Sequence, residues 1–199
     1  MSFIFGASFG VLAQAAGLGT VAPIVMSATT FAGTAQFAAA SVLGTGGGAL
    51  AAVGAAALLN LRYAPISFTV APAMTGSVLS RLLQSQLIVD ESWAVAQEGG
   101  GRVNRKMFIA AGLVLYACWT SGTTIGVLGA ELVGDPARFG IDAAFPALFL
   151  ALLIPLLKTR QAVAAAILGA VIALAFVPFA PAGVPIMLAS LACLIGLRK

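Results

Sequence analysis

Apolar residues in this chain come in continuous runs, separated by short turns rich in glycine, proline and charge. Continuous runs predict helices, and the two-residue alternation of a membrane β-barrel strand is absent. Helical segments are expected over residues 3–16, 21–43, 49–61, 66–79, 107–130, 141–157, 161–177 and 185–197. Several of those in the first half are shorter than the roughly 20 residues that cross a bilayer, so one is expected to be broken or re-entrant. Gly17, Gly19 and Pro23 mark the turn into the second run, and Pro72 and Gly76 bend or break the fourth. The expected fold class is all-α: a polytopic membrane helix bundle of about eight hydrophobic segments.

One polar region of any length interrupts the pattern, residues 81–106, with Asp90, Glu91, Glu98, Arg102, Arg105 and Lys106 around a Gly99-Gly100-Gly101 hinge. It joins two halves, 1–81 and 107–199, of a single domain spanning 1–199. The halves echo each other. SFGVLA at 8–13 matches TIGVLG at 124–129, and TTFAGTAQFAAASVL at 29–43 matches AAFPALFLALLIPLL at 143–157. The pairs Phe31/Phe145, Pro65/Pro181 and Pro72/Pro185 keep a nearly constant offset. A duplicated transporter fold predicts such weak symmetry. Accidental alignment of alanine-rich helices predicts it too.

Within the second run, FAGTAQF at 31–37 has thin side-chain cover, from Gly33 and its neighbouring alanines, and an unusual polar content. Ser27, Thr30, Thr34 and Ser41 follow the spacing of one helical face, with Thr29, Gly33 and Gln36 beside it. Gln36 needs partners for an amide that hydrocarbon cannot supply. Either it bonds across a helix–helix contact, or the stretch is a site for a small polar solute. Gly6/Gly10, Gly44/Gly48 and Gly122/Gly126 offer more small-residue faces than short helices need among themselves, which predicts a small hydrophobic partner.

Composition agrees with a membrane protein: 61% of the 199 residues are hydrophobic and 8% charged, against about a quarter charged in soluble domains. The net charge of +4 sits at the ends of apolar runs, where it sets orientation and gives no sign of nucleic-acid binding. Placing Arg102, Arg105, Lys106, Lys158, Arg160, Arg198 and Lys199 inside gives a cytoplasmic N-terminus. Cys118 and Cys193 lie in apolar segments and read as buried free thiols. Histidine is absent, which removes HExxH metalloproteases, rhomboid-like serine proteases and the commonest general base. Gly134-Asp135 has no second intramembrane aspartate to form a protease dyad. No enzyme, metal site or cofactor is expected.

Arg62, in LLNLRYAP, falls where the charge rule wants none. It is either a snorkelling interfacial arginine or a fork aimed into a cavity to hold a carboxylate. Asp90 and Glu91 are either a solvated helix start or a proton or gating pair. Asp142 reads as a helix N-terminal residue.

MSATTFAGTAQFAAASVLGTG, LLNLRYAP, IVDESWAV and GIDAAFPALFLALLIP, in that order, resemble the large subunit of AzlC-type branched-chain amino-acid exporters. The resemblance covers nearly the whole chain. It implies proton-driven export of leucine, isoleucine and valine, often with methionine, across the cytoplasmic membrane, together with a small membrane subunit of the AzlD type. Gly33, Gln36, Asn60, Arg62, Asp90 and Glu91 occupy the family's motif positions. Arg62 would hold the substrate carboxylate, while Gln36, Thr34 and opened carbonyls near Gly33 would take the ammonium. Leucine and valine differ by too little for sharp discrimination, about 1–3 kcal/mol per methylene. Two departures stand out: the chain lacks the longer proline-containing lead-in usual ahead of the first span, and Tyr63 stands where histidine usually follows LNLR. The reading from another class is a membrane scaffold whose polar stripe only docks a partner helix.

Overall fold

Four glycines decide how the first and longest helices meet. Helix α1 (Ser2–Ala15) lies against α8 (Arg105–Val133). A Cβ on Gly6 or Gly10 would run into the carbonyls of Trp119 and Thr123, and one on Gly122 or Gly126 into those of Phe3 and Ala7. Contacts advance in the same direction along both helices, so the pair is parallel. Two GxxxG faces thus bring backbone onto backbone, and packing rather than polar contact holds them. These faces, expected to seat a partner, are consumed inside the chain. Gly44 likewise abuts Ala16, and only Gly48 of the three pairs has open space around it.

The structure, a computed structural model, describes residues 1–99, 102–133, 150, 153–154, 157–180 and 184–197. Gly100, Gly101, Asp135, Arg138, Asp142, Phe145, Pro181, Arg198, Lys199 and nearly all of the run 141–157 lie outside the described residues. The run 21–43 is two helices, α2 (Val21–Thr29) and α3 (Gly33–Gly44), broken at Thr30-Phe31-Ala32. Helix α4 (Ala49–Asn60) packs on α3. It turns by 47° into α5 (Tyr63–Val70) and the 3-10 turn Ala71–Ala73. Pro72 and Gly76 end the predicted segment 66–79 early. A new helix, α6 (Val78–Ser85), starts where Ser77 Oγ accepts from the Ser80 amide at 3.4 Å.

Helix α7 (Asp90–Ala96) follows. Within the expected all-α fold the glycine hinge carries a two-stranded ribbon instead, β1 (Gln97–Gly99) against β2 (Arg102–Val103), with Gln97 opposite Val103. The last described elements are α9 (Arg160–Phe176), α10 (Val184–Ala189) and the 3-10 segment Ser190–Leu197. The chain is mostly helical. Among the described residues one stretch, Arg105–Ala130, is by itself long and apolar enough to cross a bilayer; α4 with α5 and its 3-10 turn makes a second if counted as one bent span. The core lies between α1, α3 and α8, where Phe9, Phe37 and Trp119 meet ring to ring within 6.2 Å.

Candidate functional site

The break after Thr30 leaves backbone groups with no helical partner, and three side chains take them up. Gln36 Oε1 accepts from the Ala32 amide at 3.2 Å. On the other side of the break, Tyr116 Oη donates to the Ala28 carbonyl at 2.8 Å and Gln86 Nε2 to that of Thr29 at 2.6 Å. Phe31, between them, has φ of +41°, a left-handed conformation that costs a non-glycine residue about 1–3 kcal/mol. Its ring meets Tyr116 edge-on at 5.2 Å.

Gln36 is 1% exposed and its amide works for the fold. Thr123 Oγ1 donates to the Trp119 carbonyl at 3.0 Å, so in the 2.8 Å contact between Ser27 and Thr123 the donor is Ser27. Ser27 Oγ then accepts twice, from Gln36 Nε2 at 2.9 Å and from Trp119 Nε1 at 3.1 Å. Trp119 Nε1 also reaches Gln36 Oε1 at 3.1 Å. Donors and acceptors match throughout this buried network, which pins the indole of Trp119. Gly33 lies flat on that indole, where a Cβ would sit 2.7 Å from Cη2.

A cleft opens beside the indole, with a lining that includes Phe5, Phe31, Gly33, Thr34, Arg62, Tyr63, Asp90, Glu91, Leu115 and Trp119. Arg62 occupies the corner between α4 and α5, and Asp90 opens α7. Trp93 Nε1 donates to Thr69 Oγ1 at 2.8 Å, and this bond between α7 and α5 keeps the two charges facing each other. Arg62 Nη2 lies 3.1 Å from Asp90 Oδ2. The same nitrogen donates to Thr34 Oγ1 at 2.9 Å and to Tyr63 Oη at 3.0 Å. Tyr63 also lays its ring 4.9 Å from the guanidinium carbon. The first turn of α3 presents its positive dipole end beside Arg62, through Gly33 and Thr34. The cleft therefore carries a cation in contact with one carboxylate, with a second carboxylate, Glu91, in the same lining, and the rest of the lining is largely aromatic and aliphatic.

Of the residues picked out from the sequence, Gly33, Thr34, Arg62, Asp90 and Glu91 line this cleft. Gln36 lies behind it. Asn60 lines a neighbouring hollow with Ala35, Ala39 and Ala56, and its Oδ1 is buried with no hydrogen-bond partner among the described residues. The stripe from Ser27 to Ser41 is not one face, because the break sends Ser27 to the Trp119 network and Thr34 to Arg62 while Ser41 stays exposed. Of the carbonyls at the break, those of Ala28 and Thr29 accept side-chain hydrogen bonds, and α3 offers amide donors at its start. Trp119, Phe5, Leu115 and Tyr63 were not visible as site residues. A tryptophan placed one turn before a GxxxG face on an apolar helix was the available signal.

A family model described as AzlC protein matches residues 1–133. The chain is also 33% identical over 178 residues to an uncharacterized membrane protein of Archaeoglobus fulgidus, covering 85% of this chain and 75% of the relative. No solved structure matches the chain.

Proposed function

Since the chain belongs to the AzlC family, we propose that it is a secondary transporter exporting branched-chain amino acids, driven by the proton gradient and working with a small AzlD-type membrane subunit. It sits in the cytoplasmic membrane as a polytopic helix bundle. The observation that carries the reading is the cleft: an arginine beside a helix N-terminus, paired with Asp90 and accompanied by Glu91, in a lining that is otherwise largely apolar. A zwitterion with an aliphatic side chain asks for those three things. Arg62 with the first-turn amides at Gly33 and Thr34 takes the carboxylate, and Asp90 or Glu91 takes the ammonium and serves in coupling or gating. Phe5, Phe31, Leu115 and Trp119 receive the side chain. Gln36 acts behind them by fixing Trp119 and the break, and Asn60 makes no contact with substrate in this arrangement.

Large apolar side chains stand exposed on most helices, among them Ile4, Leu50, Phe68, Leu128 and Leu174. Surfaces of this kind suit lipid and partner helices. The scaffold reading has less to rest on, since Ser27, Thr34 and Gln36 direct their hydrogen bonds inward rather than toward a partner. Parallel packing of α1 on α8, at the same offset that relates SFGVLA to TIGVLG, supports an internal duplication. Cells lacking the protein and fed leucine- or valine-containing dipeptides are expected to accumulate the free amino acid. Intracellular pools equal to those of the parent strain, with other exporters removed, would contradict the assignment.

A further inference from the structure

Arg62 is committed in an uneven way. All of its hydrogen bonds and its ion pair among the described residues run through Nη2, which serves Thr34, Tyr63 and Asp90 at once. Nε is buried and has no partner among those residues. Asp90 therefore holds the guanidinium by one contact at 3.1 Å and not by the two parallel bonds that a planar fork offers a carboxylate. The side chains of the pair are 33% and 40% exposed, and pairs with that much solvent are weak. The cleft has a volume of about 90 Å³. That is room for several waters, and little beside the roughly 300–1,000 Å³ of formed ligand sites. Any substrate of leucine's size must part the two charges.

We propose that the Arg62–Asp90 ion pair stands in for the substrate's own two charges, so that the cleft takes α-amino acids only as zwitterions and rejects aliphatic acids and amines of the same size. Parting the pair exposes one cation and one anion beside an apolar wall, and an uncompensated charge there is costly. A ligand with both charges on one carbon neutralises both, its carboxylate taking the fork and its ammonium taking Asp90, with Glu91 alongside. A ligand with one charge leaves the other partner alone. The apolar wall sets a preference for aliphatic side chains, while the ion pair sets the demand for both head groups. This rests on the reading of the cleft as an aliphatic amino-acid site and adds the selection against single charges.

The test is competition for radiolabelled leucine binding to the purified full chain in nanodiscs, with its co-purifying subunit retained if there is one. Competitors are leucine, 4-methylpentanoate (same skeleton, carboxylate only) and 3-methylbutylamine (ammonium only). Each single-charge ligand leaves one charge unanswered and is expected to compete at least about tenfold more weakly than leucine. In Asp90→Asn, where Arg62 has no internal anion to give up, 4-methylpentanoate should gain about tenfold while leucine loses about tenfold. If either single-charge ligand competes within tenfold of leucine on the unaltered chain, or if Asp90→Asn folds and leaves the leucine-to-acid ratio unchanged, the inference is overturned and the transport reading stands. If leucine itself does not bind, both fall. The ligand series on the unaltered chain decides the matter even if the variant does not fold.

Discussion

Gln36 shows how a single amide can set the geometry of a site it does not line. Its Oε1 answers the Ala32 amide freed by the break and the Trp119 indole, and its Nε2 answers Ser27. Gln36→Leu keeps the bulk and strands the buried Ala32 amide, at a cost of about 1–3 kcal/mol. The melting temperature of the isolated chain in detergent should fall, and transport should fall with it because Trp119 loses one of its two acceptors. An unchanged melting temperature would mean that the network does not hold the break. That Gln36 needs partners is legible from the sequence, since an amide inside an apolar run cannot stay bare. Which partners it has is not, because Trp119 lies 83 residues away. Arg62 is alike in this respect. Its misplaced charge marks it, whereas Thr34 and Asp90, each 28 residues distant, are joined to it only by the fold.

Elements were readable wherever backbone chemistry is local. The ends of α1, α4 and α9 lie within two residues of the hydrophobic pattern's limits, and the GxxxG pairs announced close packing. The break between α2 and α3 was hidden. Residues 30–32 contain no proline or glycine, and the helix stops there because Gln36, Tyr116 and Gln86 reward its stopping with hydrogen bonds. Periodicity cannot see a tertiary contact of that kind. What a small-residue face packs against is equally a matter of the fold, which is why faces expected to hold a partner turned out to hold α1 to α8. That pairing makes a sharp contrast possible on one helix. Gly126→Ile drives a side chain into the Ala7 backbone and should abolish recovery of folded protein. Gly129→Ala, with nothing within 4 Å of its Cβ, should stabilise α8 by about 0.5–1 kcal/mol. Equal effects of the two in a thermal melt would contradict the parallel zipper.

At the scale of the whole molecule, the apolar zipper of α1 and α8 carries Trp119, the broken pair α2–α3 carries the amide donors, and the α4–α5 corner with α7 carries the opposed charges. Each part alone has a structural purpose. Together they give a cleft with a cation, two carboxylates and an aromatic wall, and the central claim is that this cleft carries an aliphatic amino acid by its carboxylate on Arg62. The most direct test compares leucine export by Arg62→Lys with that of the parent chain, in dipeptide-loaded cells at matched membrane abundance. Lysine keeps the charge and loses the fork. Loss of a charge-assisted hydrogen bond of about 1.5–3 kcal/mol predicts a fall in export of at least about tenfold, with insertion unchanged. Export by Arg62→Lys at the parent rate would make Arg62 a residue that only anchors a helix end, and the cleft would lose its claim to the substrate.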